Sequence, residues 1–245
     1  FLYCPYCNGG KNRDKYSFAV NLNNGQFKCL RSSCSVSGNM LTLAADFSWF
    51  SLGKDVDAYY RTERRQRYRK FGKMKPIKPK SAALAYLESR KITAATAERY
   101  QITVQIEREN VLVFPFLDEK GNMQFIKYRK TDFNPEKDSN KEWCEANCKP
   151  ILFGMYQCNL ENKTLIMTEG QLDSLSVAES GIENAVSVPN GKNGFTWVPY
   201  CWDWLQNFNT LIVFGDCERG SITLLDDMRR RFHGTVKAVR QQDYK

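Results

Sequence analysis

Two groups of residues in this 245-residue chain have types and spacings that could do chemistry. The first is a set of four cysteines. Cys4-Pro5-Tyr6-Cys7 is followed, after 21 residues, by Cys29-Leu30-Arg31-Ser32-Ser33-Cys34. Two close thiolate pairs separated by a hairpin-sized loop suit tetrahedral zinc, and four thiolates leave no open position, so the site reads as structural. A redox C-x-x-C is the competing reading of the first pair alone. The second group is acidic. Leu165-Ile166-Met167-Thr168 runs into Glu169-Gly170-Gln171-Leu172-Asp173, and Leu211-Ile212-Val213-Phe214 runs into Gly215-Asp216-Cys217-Glu218. Gathered carboxylates repel unless a cation lies between them. Mg²⁺ is the hard ion for oxygen ligands and phosphates. Such ions activate a hydroxyl and neutralise a leaving pyrophosphate. A lone acid at a strand end is otherwise a solvated loop charge or a helix cap.

The elements needed to position these groups can also be read. Tyr16-Ser17-Phe18-Ala19-Val20, the turn Asn23-Asn24-Gly25 and Gln26-Phe27-Lys28 predict a hairpin that delivers Cys29. So small a module has little core, and metal binding supplies folding energy. Met40–Phe47 predicts a short helix. Ser81 is the expected N-cap of a helix through Arg90, and a second helix is expected over Ala94–Tyr100. Strands are expected at Val111–Phe116 and Met123–Tyr128, flanking a turn at Asp118–Asn122. Apolar strands and helical stretches then alternate: Thr164–Thr168, Asp173–Glu179, Ala185–Val188, Leu211–Phe214, Leu224–Phe232 and Val236–Val239. That rhythm predicts βαβ units and a largely parallel sheet. Glu169 then lies at a strand's carboxyl end, where open α/β sheets bind ligands. Gly170 lets the backbone turn sharply, and Asp173 follows in the first helical turn. Two neighbouring strands bring Glu169, Asp173, Asp216 and Glu218 together.

Charge is unevenly spread. The net charge is +9, and eleven Lys/Arg against three acids fall between Lys54 and Lys80. This basic stripe suits phosphate contacts, or a solvated linker held extended by its own repulsion. Pro76 and Pro79 stiffen its end. Boundaries are expected at 1–50 for the cysteine module, 51–80 for the basic linker, 81–155 for a first lobe and 156–245 for the acidic α/β lobe. No run of apolar residues reaches the eighteen or so that a membrane span needs, and no signal peptide opens the chain. Nine cysteines cannot all pair with one another, and the metal spacing of four favours a reducing compartment, so cytoplasm is expected. Cys144 and Cys148 read as ordinary thiols, and Cys158, Cys201 and Cys217 as small buried hydrophobes. His233 is the only histidine, which argues against histidine-metal catalysis.

Glu169-Gly170-x-x-Asp173 followed by Asp216-x-Glu218 resembles the Toprim signature shared by primases, topoisomerases and some nucleases. The module of Cys4/Cys7, Tyr16-Ser17-Phe18, Cys29/Cys34 and Gly38-Asn39-Met40-Leu41 is similar to the zinc domain of bacterial and bacteriophage primases. Tyr86–Ile92 resembles the helix that opens their polymerase domain. The order of modules most resembles the primase half of phage primase-helicases. The chain departs from the family in two places. It has Asp216-Cys217-Glu218 where Asp-x-Asp is usual, and four residues inside the second cysteine pair where two are common.

The resemblance implies an α/β protein: a small zinc-ribbon-like β module, a basic linker, then an RNA polymerase domain with a basic N-lobe and a Toprim sheet. It implies a DNA primase that makes short RNA primers from NTPs on a single-stranded DNA template, in the cytoplasm of a bacterial cell. Structural Zn²⁺ falls to Cys4, Cys7, Cys29 and Cys34. Catalytic Mg²⁺ or Mn²⁺ falls to Glu169, Asp216 and Glu218, with Asp173 also catalytic. Lys127 and Arg129, which alternate on one strand, and their neighbour Lys130 are the expected nucleotide or DNA contacts; the plain reading of these three is the polar face of an edge strand. A replicative helicase is the expected partner, on the same full-length polypeptide or apart from it, although no G-x-x-x-x-G-K-S/T loop is present here. The rival readings are a Toprim nuclease or topoisomerase relative, and a non-catalytic zinc-plus-Toprim DNA-binding module.

Overall fold

The computed structural model describes residues 2–7, 16–31, 34–46, 68–190, 196–217, 222–232 and 234–239. Glu218, His233 and the basic segment 51–67 lie outside the described residues. The chain divides into two compact units, Phe1–Gln66 and Arg67–Lys245.

In the first unit four short strands, β1 (Leu2–Tyr3), β2 (Tyr16–Val20), β3 (Phe27–Cys29) and β4 (Ser37–Gly38), pair antiparallel in sequence order. The predicted hairpin is the β2–β3 pair. Gly25, at φ 65°, supplies the left-handed residue of its turn. Phe18 and Phe27 stack inward on Leu43 of helix α1 (Met40–Asp46), beside Cys4 and Cys29. Asn39 caps that helix, its Oδ1 accepting from Thr42 N–H at 3.1 Å. Tyr6 Oη donates to Asp46 Oδ2 at 2.6 Å and ties the helix end to the first cysteine turn.

The second unit holds two sheets. One is antiparallel, in the order β5 (Thr103–Gln105), β6 (Arg108–Leu117), β7 (Met123–Lys130), β8 (Glu142–Cys144). Helices α2 (Ser81–Ser89) and α3 (Ala94–Arg99) precede it. Ser81 is the first helical residue and Lys80 the N-cap, one residue earlier than expected, and no side chain caps this end. Thr93 does cap α3. The other sheet is fully parallel, in the order β10 (Ala185–Ser187), β9 (Thr164–Thr168), β11 (Thr210–Phe214), β12 (Thr235–Ala238). Its crossovers are α4 (Gln171–Glu179), α5 (Val198–Leu205) and α6 (Thr223–Arg231).

Phe153 joins the two sheets. Its ring meets Tyr100, Phe114 and Phe116 at centroid distances of 5.4, 5.9 and 5.3 Å. Its backbone pairs with Ser187 at the end of β10. Burying each such ring stabilises the fold by about 1.5–3 kcal/mol. Asn184, 1% exposed, locks the approach to β10. Its Nδ2 donates to the carbonyls of Asn159, Asn162 and Thr164, each at 3.0 Å, and its Oδ1 accepts from Asn159 N–H at 2.8 Å.

Candidate active site and metal centre

β9 leads through α4 to β10 on one side, while β11 lies on its other side. The strand order therefore reverses between β9 and β11, and a ligand crevice opens at their carboxyl ends. Thr168 pairs with Phe214, which places Glu169 beside Gly215. A Cβ at residue 215 would lie 3.0 Å from Glu169 Oε1. Glu169 is 9% exposed, and Asp216 follows at the crevice mouth.

Asp173 sits in the first turn of α4, and its Oδ2 accepts from Gly170 N–H at 3.1 Å. Gly170 has φ −102°, which any residue adopts, so no left-handed turn explains the glycine. Close approach does: a Cβ there would lie 2.4 Å from Asp173 Oδ2. Desolvation and the charge of Asp216 raise the Asp173 carboxyl above its ordinary value, against the lowering pull of Gly170 N–H, Arg129 and Arg90. Gln171 holds the start of α4 in place, donating from Nε2 to Ser187 Oγ at 3.1 Å and Val188 O at 2.9 Å.

A cleft of about 480 Å³ brings Glu169, Asp173 and Asp216 together with Lys127, Arg129, Glu142, Trp143, Cys144 and Asn190. Lys127 and Arg129 point the same way from β7, as alternation demands. Lys127, 8% exposed, meets Glu142 Oε2 at 2.7 Å, and Arg129 Nη1 meets Glu142 Oε1. Desolvation alone would raise the Glu142 carboxyl; the Lys127 and Arg129 contacts outweigh it and hold it below its ordinary value. Lys130 projects from the other face. It pairs with Asp138 at 2.6 Å and lines a separate cleft with Arg108, Asn110 and Asn140. So Lys130 does not join Lys127 and Arg129. Glu142, in a three-residue strand among polar neighbours, has no pattern that could have announced it; its place opposite Arg129 is a matter of register.

The three carboxylates share this cleft but are not drawn tightly together. Among the described residues, the four thiols are the one group of three or more metal-type ligands close enough to share an ion. Mg²⁺ is commonly held by one or two carboxylates with substrate phosphates completing the shell, and Glu169 with Asp216 at adjacent strand ends fits that donor set.

The four sulfurs all lie within 4.8 Å of one another, with Cys4–Cys34 and Cys7–Cys29 at 3.9 Å. A tetrahedron with Zn–S of about 2.3 Å has edges of about 3.8 Å, so the thiols fit this ion. Burial pushes the Cys4 thiol up to about 12, against backbone N–H groups of Cys7 and Tyr6 and with help from the thiols of Cys29 and Cys7. At Cys29 burial is outweighed by Ser17 Oγ, the Arg31 N–H and neighbouring thiols, and the thiol falls to about 7. Elsewhere Cys201 is buried, Cys148 is buried, and Cys144 stands exposed at the cleft.

No protein-family model matches the chain. Two Arabidopsis thaliana proteins are similar in sequence. A primase homolog protein is 25% identical over 162 residues, 60% of this chain and 45% of that protein. A Twinkle homolog protein of chloroplasts and mitochondria is 24% identical over 251 aligned residues, 94% of this chain and 32% of that protein. The chain thus spans less than half the length of the curated relatives it matches. Among solved structures, the primase fragment of the bacteriophage T7 primase-helicase matches with a TM-score of 0.54 at 16% identity, over 91% of this chain and 84% of that one. The zinc-binding and RNA polymerase domains of Aquifex aeolicus primase match with a TM-score of 0.52 at 16% identity, over 97% and 71%. The chain has the fold of the zinc-binding and RNA polymerase domains of DNA primases, an α/β architecture with an amino-terminal four-cysteine cluster and a parallel sheet.

Proposed function

We propose that this chain is the primase part of a replication protein, making short RNA primers from NTPs on single-stranded DNA. One observation carries the reading: a single cleft at the switch point of the parallel sheet sets Glu169, Asp173 and Asp216 against the cations Lys127 and Arg129. Polymerising nucleotides needs that division, with acids for metal and cations for triphosphate.

Glu169 and Asp216, with Glu218, would hold Mg²⁺ or Mn²⁺. The ion supplies activation of the primer 3′-hydroxyl and neutralisation of the departing pyrophosphate. Lys127 and Arg129 bind and orient the triphosphate. Asp173 keeps the turn after Glu169 in place through Gly170 N–H. Cys4, Cys7, Cys29 and Cys34 hold structural zinc, and the module they close holds the template. Among structures of similar fold are bacteriophage T7 primase domains bound to an RNA/DNA hybrid. By likeness we assign this chain the same partners, a replicative helicase, and a cytoplasmic site of action. No helix of the described residues is long and apolar enough to cross a membrane.

The test is template-directed RNA synthesis from NTPs on single-stranded DNA with Mg²⁺. Wild type should yield short oligoribonucleotides, and Glu169→Gln should abolish them while sparing DNA binding. Absence of product from wild type, with a helicase partner added, sinks the reading.

A further inference from the structure

We propose that Glu142 is a positioning residue for the triphosphate: its carboxylate occupies the phosphate seat of Lys127 and Arg129 until a nucleotide displaces it. The proposal rests on the reading of the cleft given above. One carboxylate serves both cations, an oxygen to each, with Lys127 Nζ at 2.7 Å from Oε2 and Arg129 Nη1 on Oε1. Register produces this. Arg129 lies directly opposite Glu142 on β8, and Lys127, two residues back on the same face, reaches diagonally.

The arrangement is odd for a salt bridge meant only to neutralise. The cleft already holds Glu169, Asp173 and Asp216, and Arg129 acts on Asp173 electrostatically. Without Glu142, both cations would be drawn toward those acids. Glu142 pulls them to the opposite wall and keeps acids and cations apart. It also leaves donors over. The Lys127 ammonium carries three N–H groups, of which Glu142 takes one, and Arg129 Nε is buried without an acceptor among the described residues. Carboxylate and phosphate oxygens are the same chemistry to a guanidinium or ammonium. A phosphate oxygen entering the cleft meets the remaining Lys127 N–H groups first and then competes with Glu142 for Arg129; Glu142 is about 30% exposed and so able to swing outward.

The probe is inorganic tripolyphosphate, titrated by calorimetry in divalent-free buffer on the whole chain. Glu142→Gln should bind it about tenfold more tightly than wild type, because one charge-assisted competitor is gone. Glu142→Asp keeps the charge and neutralises Lys127, but its shorter arm cannot bridge both cations, so binding should tighten about threefold. The double variant Lys127→Gln/Glu142→Gln should bind more weakly than wild type. In RNA synthesis Glu142→Gln should lower kcat at least tenfold without raising KM for NTP, since the cations bind but no longer align. Unchanged or weaker binding in folded Glu142→Gln overturns the proposal. So does unchanged binding in Glu142→Asp where Glu142→Gln does not fold, or no detectable binding to wild type and either single variant. These titrations need no synthesis, so a wild type that binds tripolyphosphate and makes no RNA would fail the primase reading alone.

Discussion

Gly215 lies flat against the carboxylate of Glu169, so closely that a Cβ at 215 would stand 3.0 Å from Glu169 Oε1 and 2.9 Å from Ile222 Cγ2. The glycine that follows β11 thus helps to set the position of the acid that follows β9, one strand over. Gly215→Ala should push the carboxylate aside by a few tenths of an ångström. Synthesis should fall about 10–100-fold, because metal-ligand geometry tolerates little displacement, while the unfolding midpoint changes little. Steady-state rates and thermal unfolding together check this; a large loss of stability with proportionate loss of activity would contradict it.

Asp173 couples stability to pH. Its folded value is raised by desolvation and Asp216, more than Arg129, Arg90 and Gly170 N–H lower it. A carboxyl raised in the fold favours folding while protonated, and that contribution is lost as pH rises through the raised value. Ionised Asp173 is therefore a cost at neutral pH. Asp173→Asn keeps an oxygen for Gly170 N–H and should raise the unfolding midpoint at pH 7 in divalent-free buffer. The gain should vanish as pH falls below the ordinary carboxylate range. A gain independent of pH would refute the assignment.

Lys127 and Lys130 should separate cleanly. Lys127→Ala is expected to lower synthesis about 100-fold, the scale of losing a charged donor to the transferring group. Lys130→Ala is expected to stay within about twofold of wild type, since Lys130 faces Asp138 on the other side of the strand. Equal losses in the two variants would show that the sheet face does not matter.

Zinc removal should act locally. The chain as purified should carry about one zinc per molecule, and Cys29→Ser should release it and unfold the first unit. Unit Arg67–Lys245 should keep its own unfolding transition, because its core is built without the thiols. Metal analysis and differential scanning calorimetry check both halves of the statement.

Asn184 carries a structural load that no site explains. Asn184→Ala leaves the carbonyls of Asn159, Asn162 and Thr164 without their shared donor. The cost should be about 2–4 kcal/mol, read as a fall in denaturation midpoint with an unchanged urea slope.

Some of this was legible in the chain alone. The strand Thr164–Thr168 could be bounded to the residue, because an apolar run ending in Glu-Gly has nowhere else to stop. The hairpin before Cys29 announced itself through alternation and Asn-Gly, and the four cysteines through their spacing. Alternation along β7 likewise set Lys127 and Arg129 on one face, whereas Lys130, expected beside them as a contact, projects from the other. Helix α5, Val198–Leu205, was not read: a proline and three aromatics hide its period, and packing of Val198, Cys201 and Trp204 decides it.

Which strands neighbour one another is a different kind of fact. Local pattern can end two strands in acids, but only the order β10-β9-β11-β12 makes those ends adjacent. The use of Gly170 and Gly215 depended on side chains approaching from three residues away and from the next strand. Glu142 became the partner of Lys127 and Arg129 through cross-strand register, a long-range pairing that carries no local signature. The sequence by itself determined which residues could bind metal and phosphate, since that follows from side-chain chemistry and spacing. The tertiary structure alone decided which of them meet, because strand order and register are settled by the burial of Phe153, Tyr100 and their neighbours, contacts made between parts of the chain far apart in sequence.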